Sequence, residues 1–145
     1  MTLNNLLGIS LDRVAPDKTL VAKLIAAAER NIADAQLQGL SAENRFDAAY
    51  KAVMQLAMVA LNANGYRTLT SKPGHHQTAI QTLPLSVGLA QREVIVLDAL
   101  RKQRNLSNYA GDLVPDAVAD ECLANANSLL AHVRTWLMAN APGLI

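Results

Sequence analysis

Aromatic side chains are scarce in this 145-residue chain: Phe46, Tyr50, Tyr66, Tyr109 and Trp136 make up 3% of it. β-Branched residues are modest as well, and the balance argues against an all-β sandwich or barrel. Cysteine occurs once, at Cys122. A lone thiol closes no intramolecular disulfide and forms no CxxC or Cys/His metal spacing. Its place in an apolar helical pattern reads as a core thiol. No apolar run reaches the roughly 18 residues of a membrane span, so none is expected. Residues 1–10 have neither a basic start nor a long apolar stretch, so no secretory signal is expected and a cytoplasmic, bacterial-type protein is the default. An excess of one charge is also missing, since 13 Lys+Arg stand against 12 Asp+Glu, a net of +1. That sum excludes a strongly basic nucleic-acid coat and an acidic disordered tail.

Alanine and leucine take the place of these residues and favour helix over strand. Hydrophobic residues make up 51% of the chain and charged residues 17%, the composition of one folded domain. A chain of this size buries roughly two thirds of its unfolded surface and needs no disulfide or metal for stability. The charge is uneven. Residues 1–40 carry four positive and four negative groups, residues 41–109 eight and four, and residues 110–145 one and four. The middle segment is therefore +4 and the last −3, enough for a local anion-binding surface but not for a long nucleic-acid groove.

Residues 1–16 read as an N-terminal arm and residues 17–145 as a single helical domain. Asp17 caps a first helix with apolar residues at i, i+3, i+4 from Leu20 to Ala35, ending near Gly39. Ser41 opens a second helix, apolar nearly all round and therefore central, which Gly65 ends. Residues 66–74 read as a basic loop. A third helix is expected from His75 to about Leu85, where Pro84 ends or kinks it. A fourth covers roughly Gln91 to Tyr109, although Val94, Ile95, Val96 and Leu97 also suit a strand. Pro115 and Asp116 open a fifth, closed by Pro142 and Gly143. The fold class is all-α: an up-and-down antiparallel bundle of four to five helices with short connections.

Chemistry concentrates in three places. The fourth helix ends in Arg101-Lys-Gln-Arg104-Asn105-Leu-Ser-Asn108-Tyr109. Arg101, Asn105 and Tyr109 share one face, with Arg104 and Asn108 in the neighbouring row. Guanidinium and amide groups hold phosphate oxygens, and tyrosine stacks on bases or donates a hydrogen bond. The plain alternative is a solvated helix end whose cations suit the negative end of the dipole. Gly74-His75-His76 is the second place. Adjacent side chains on a helix diverge by about 100°, so the two histidines are poor co-ligands for one metal; they suit hydrogen bonding or proton transfer instead. Asp47 and Tyr50, in the first turns of the second helix, form the third. Asp47 either orients an arginine from another helix or is an ordinary charge near a helix start. No nucleophile elbow, phosphate-binding glycine loop, zinc signature or paired metal carboxylates occur, so no cofactor and no metal are expected.

The run Ser41-Ala-Glu-Asn-Arg45-Phe46-Asp47-Ala-Ala-Tyr50, followed by Gly65-Tyr66-Arg67, Gly74-His75-His76 and Leu100-Arg101-Lys-Gln-Arg104-Asn105-x-x-x-Tyr109, resembles a HEPN domain. The likeness is to small stand-alone bacterial members and spans residues 17–140. It implies a helical homodimer whose cleft forms where the copies meet, and in many members a metal-independent ribonuclease or toxin. By that resemblance Arg104 and Asn105 take the motif positions, and Asp47 the acidic position of the second helix. Tyr109 stands where the motif has its histidine, and residues 108–111 (Asn, Tyr, Ala, Gly) supply none. Tyrosine ionises near pH 10 and is a poor acid or base at neutral pH. The implied catalytic set is thus Arg104, Asn105, Tyr109 and Asp47, with Arg101, Asn108, His75, His76 and Tyr50 binding ligand. Some members pair with a nucleotidyltransferase antitoxin that modifies a tyrosine, but Tyr109 is not at that spacing. The expected partners are a second copy meeting through the second and fourth helices, RNA or a nucleotide-type ligand, and an antitoxin-type protein. The alternative function is a non-catalytic protein-interaction module of a toxin–antitoxin or defence system.

Overall fold

The computed structural model describes residues 1–111 and 113–145, with the side chains of residues 107–110 outside the description. The Asp17 carboxylate accepts from the amides of Thr19 and Leu20 and starts α1, Lys18–Ala35. These are donors that a helix start leaves unpaired. Val21, Ala28, Ile32 and Ala35 form its buried stripe. The chain reverses through Gly39, at φ +92°. The Ser41 hydroxyl then accepts from the Asn44 amide at 3.1 Å and opens α2, Ala42–Ala63. Phe46, Ala49, Tyr50, Val53, Leu56, Ala57 and Ala60 are all buried along α2, which runs through the centre of the molecule.

The basic loop expected at residues 66–74 begins as a strand. β1, Leu11–Arg13, pairs antiparallel with β2, Tyr66–Thr68, with Asp12 opposite Arg67. The two side chains close an ion pair at 3.0 Å, and the arginine holds the Asp12 carboxyl below the usual carboxylate range. Leu3 and Leu11 are buried in the same core as α2, so the first residues pack on the bundle. The expected third helix is divided in two: α3, His75–Gln81, and α4, Leu83–Val87. Thr82 marks the break. Its hydroxyl donates back to the carbonyls of Thr78 and Ala79. Pro84 lies in the first turn of α4, where its missing N–H costs nothing, so it opens that helix rather than closing the previous one.

α5, Gln91–Ala110, is helical throughout. Val94, Leu97 and Leu100 are buried at a spacing of three residues, and this settles the ambiguity of its β-branched first half in favour of helix. α6, Asp116–Asn140, follows Pro115 and buries Ala119, Cys122, Ala126, Leu129, Val133 and Leu137.

Side-chain bridges give the directions. Arg45 Nε donates to the Ala35 carbonyl at 2.9 Å, while at the opposite end the Asp17 amide donates to Asn62, so α1 and α2 are antiparallel. Arg45 also reaches Asp120 at 2.5 Å and Asp116 at 3.9 Å, placing the starts of α2 and α6 together. Arg134 pairs with Glu29 between α6 and α1. Asn64, just past α2, donates to the Ser86 carbonyl at 2.9 Å, bringing the α4–α5 junction to the end of α2. α5 therefore returns toward the start of α2. The four long helices alternate in direction, as expected of an up-and-down bundle. Among the described residues, no helix is long and apolar enough to cross a membrane.

Candidate functional site

The return of α5 brings its polar end over the first turns of α2. The Arg104 guanidinium carbon lies 4.9 Å from the centroid of the Tyr50 ring. That is within cation–π range. Arg104 Nε stands 3.8 Å from Asp47 Oδ1. The separation exceeds hydrogen-bonding distance. Nε is buried and unpaired among the described residues. Asp47, one turn before Tyr50 on α2, thus attracts the guanidinium without holding it by a hydrogen bond.

α3 supplies the other wall. Gly74 adopts φ +80°, a conformation that favours glycine, and turns the loop into α3 with His75 first. The next residue, His76, places Nδ1 3.3 Å from the Tyr50 hydroxyl. The His75 and His76 rings meet edge to face with centroids 4.7 Å apart. Tyr50 is 2% exposed. It is the common contact of three helices: its ring faces Arg104 from α5, its hydroxyl meets His76 from α3, and its backbone belongs to α2.

Burial dominates the titration of this group. It pushes the Tyr50 phenol up to about 12, against the opposing pull of Arg104 and Arg101. It also lowers His76 below the ordinary imidazole value, helped by His75, Arg104 and Arg101. At neutral pH the pair is therefore a neutral phenol beside a neutral imidazole, with cations around both. Cys122 is buried behind them on α6, and burial, with Glu121 and Asp47, pushes its thiol up to about 12. The thiol is a core group and a poor nucleophile.

Arg101 is tied down one turn before Arg104. Its Nε donates to Asp98 at 2.8 Å, and Lys102 approaches the same carboxylate at 3.6 Å. Asp98 was not among the residues singled out from the sequence. The signal was present, since Arg101 and Lys102 follow it at i+3 and i+4. Asp98 and Lys102 also line an open groove of about 510 Å³ with Gln81, Gln91, Val94 and Ile95. His132 proves structural, its Nε2 lying 2.6 Å from the Val87 carbonyl.

The structure thus brings together Asp47, Tyr50, His75, His76 and Arg104, with Arg101 close enough to act on the titration of Tyr50 and His76. Asn105 is half-buried on α5 and makes no side-chain hydrogen bond among the described residues. The side chains of Asn108 and Tyr109 lie outside the described residues. Among the described residues, no group of three or more His, Cys, Asp or Glu side chains converges to hold a metal ion.

No family model, curated protein or solved structure matches this chain. The resemblance to HEPN domains therefore stands on the residues quoted for it.

Proposed function

We propose that this is a HEPN-like protein that binds RNA or a nucleotide-type ligand through the cluster around Tyr50. One observation carries the reading: Arg104 from α5 and His76 from α3 converge on the same buried tyrosine of α2. Guanidinium is the preferred protein group for phosphate oxygens. A neutral imidazole beside it supplies a hydrogen-bond donor and a proton acceptor in one ring. Asp47 steers the guanidinium from the side, and Arg101, neutralised by Asp98, adds a weaker positive field. The ligand is a short one, since the basic surface is local.

The test is binding of a structured RNA in EDTA. Arg104→Ala should weaken affinity and flatten its salt dependence by about one counterion. Wild-type protein that fails to bind RNA or mononucleotides would remove the reading.

A second reading, a protein-interaction module with a homodimer or antitoxin-type partner, draws support from α5. Ile95 and Leu106 are each 63% exposed on that helix. They lie 11 residues apart, close to three full turns, and so share a face. The apolar residues of α2, by contrast, are already buried within the chain, which leaves α5 as the surface for a second copy. A partner that dissociates from Leu106→Glu, with RNA affinity unmoved by Arg104→Ala, would favour this reading.

A further inference from the structure

We infer that a cavity between α1, α2 and β2 binds a small neutral molecule with an apolar body and one carbonyl oxygen, which accepts a hydrogen bond from Asn62. The cavity lies toward the end of α2, away from the cluster at Tyr50, and holds about 210 Å³. Leu24 of α1, Met58 and Leu61 of α2 and Tyr66 of β2 make its walls almost wholly apolar. Leu61 and Tyr66 belong to the buried core, whereas Leu20, 39% exposed, lies at its solvent side. Asn62 breaks the pattern. It lines the same cavity and is only 3% exposed. The orientation of its amide is fixed, because the Asp17 backbone N–H donates to it at 2.9 Å and must meet the oxygen. Nδ2 is therefore the other end, and it has no hydrogen-bond partner among the described residues. A donor on so buried a side chain is rarely left unpaired, because leaving it so is costly.

The chemistry of the occupant follows from this lining. An ordered water takes about three hydrogen bonds, and carbon surrounds the one buried donor here. Thr68 and Thr70 also line the cavity, but they are half-buried and exposed, nearer to solvent. The occupant that satisfies the site brings one acceptor to Nδ2 and carbon to the rest. It is uncharged. Arg67, the charged residue on the lining, is already paired with Asp12 at 3.0 Å. Asp17, bonded to Asn62 through its amide, adds a negative group that opposes a ligand carboxylate. Size narrows the class further. A cavity of roughly 150 Å³ lined by aliphatic and aromatic side chains takes benzene. At about 210 Å³ there is room for a ring with a substituent of a few atoms, as in an aryl ketone or ester. Such a ligand touches α1, α2 and β2 at once, so its binding stabilises the packing of the small sheet on the bundle.

The experiment is a titration of the isotope-labelled full chain with acetophenone, followed by amide NMR and by the melting temperature. Isopropenylbenzene is the matched probe, with the same shape and a carbon in place of the carbonyl oxygen. Acetophenone should shift the Asn62 side-chain amide and the backbone amides of Tyr66 and Thr68 to saturation, and raise the melting temperature. Isopropenylbenzene should bind about three- to tenfold more weakly, because it covers the donor with carbon. Leu24→Trp and Met58→Phe fill the cavity from α1 and from α2, and each should abolish binding. Asn62→Asp keeps an oxygen for the Asp17 amide and removes the donor, so it should erase the preference for the ketone. Circular dichroism melts identify any variant that has not folded, and one folded filling variant suffices. Absence of saturable shifts in wild type, equal affinity for the two probes, a preference that survives in folded Asn62→Asp, or undiminished binding by a folded filling variant would overturn the inference. Shifts at the same amides that follow protein concentration with no ligand present would put a side chain of a second copy in the cavity and overturn it as well. RNA binding at Tyr50 stands or falls separately, since none of these substitutions touches that cluster.

Discussion

α2 and α5 are close in length and lie in the same bundle, yet they use their surfaces differently. α2 buries residues on nearly every side, against α1, α6, α3, α4 and α5. Among the described residues α5 buries one narrow row, Val94, Leu97 and Leu100, and turns Ile95 and Leu106 to solvent. A helix enclosed on all sides has its conformation fixed by packing and little chemistry left to offer. A helix held by one row has room for cations outside the core, and α5 carries Arg101, tied to Asp98, and Arg104, beside Asp47 and Tyr50. The candidate cluster forms where the two kinds of helix meet, at Tyr50. This tyrosine is packed like the rest of α2 but presents its ring and hydroxyl to α5 and α3.

Removing a large side chain from α2 should give the widest separation between the two helices. Phe46 is buried, and Phe46→Ala should cost about 3–5 kcal/mol from lost burial and the cavity left behind. Urea denaturation would show it as a lowered midpoint with unchanged slope. A loss below about 1 kcal/mol would mean that α2 is not the centre of the fold.

The next largest effect belongs to the tyrosine at the junction. The Tyr50 phenol is raised from 10 to about 12 in the fold. The unfolded chain releases this proton first, so the stability is fully present below pH 10 and is lost as pH rises through about 12. Holding the phenol protonated from 10 up to about 12 corresponds to about 2–3 kcal/mol. Tyr50→Phe should remove that part of the alkaline destabilisation, measured as the change in urea midpoint between pH 9 and pH 11, and leave the part due to Cys122. An unchanged alkaline slope would show that the hydroxyl is not buried as described.

His76 gives a smaller effect of the opposite sense. Its folded pKa is lowered from 6.5, so the unfolded state binds the proton more readily. Stability should therefore fall as pH drops below about 6.5, and His76→Gln should flatten that slope. A slope as steep in His76→Gln as in wild type would assign the acid dependence to another group.

The parts of this structure that were legible in the sequence are those set by local chemistry. Asp17 and Ser41 each carry a side-chain oxygen that caps the following helix, and both caps are present. The buried stripes of α1, α2 and α6 follow their apolar spacing. β1 and β2 were not legible, because three-residue strands have too little periodicity and each exists only by pairing across more than 50 residues. The break at Thr82 was hidden for a related reason. Pro84 is expected to end or kink the helix; the chain does break there, but at Thr82, whose hydroxyl bonds back to α3, and Pro84 starts α4. Of the site, Arg104, Asp47, Tyr50 and the histidines could be named from residue type and resemblance. Their convergence on one ring depends on the direction of α5 and the placement of α3, and side-chain spacing encodes neither. The ties of Asp98 to Arg101 and Lys102, by contrast, follow from their i+3 and i+4 spacing alone.

The finest difference between the two helices concerns what α5 does with its exposed row. Ile95→Glu should change stability by no more than about 0.5 kcal/mol, because the side chain is 63% exposed and fills no space in the core. The same substitution on a helix that pairs with a second copy would bury a carboxylate against apolar side chains, a costly arrangement. Light scattering at micromolar concentration therefore separates the two roles where denaturation cannot. With α5 as the dimer surface, wild type should show twice the chain mass, and Ile95→Glu and Leu106→Glu should each show the mass of one chain, with a urea midpoint equal to that of wild type diluted until it is monomeric. A monomeric wild type would leave α5 exposed because nothing covers it, and the site around Tyr50 would then have to act within a single copy.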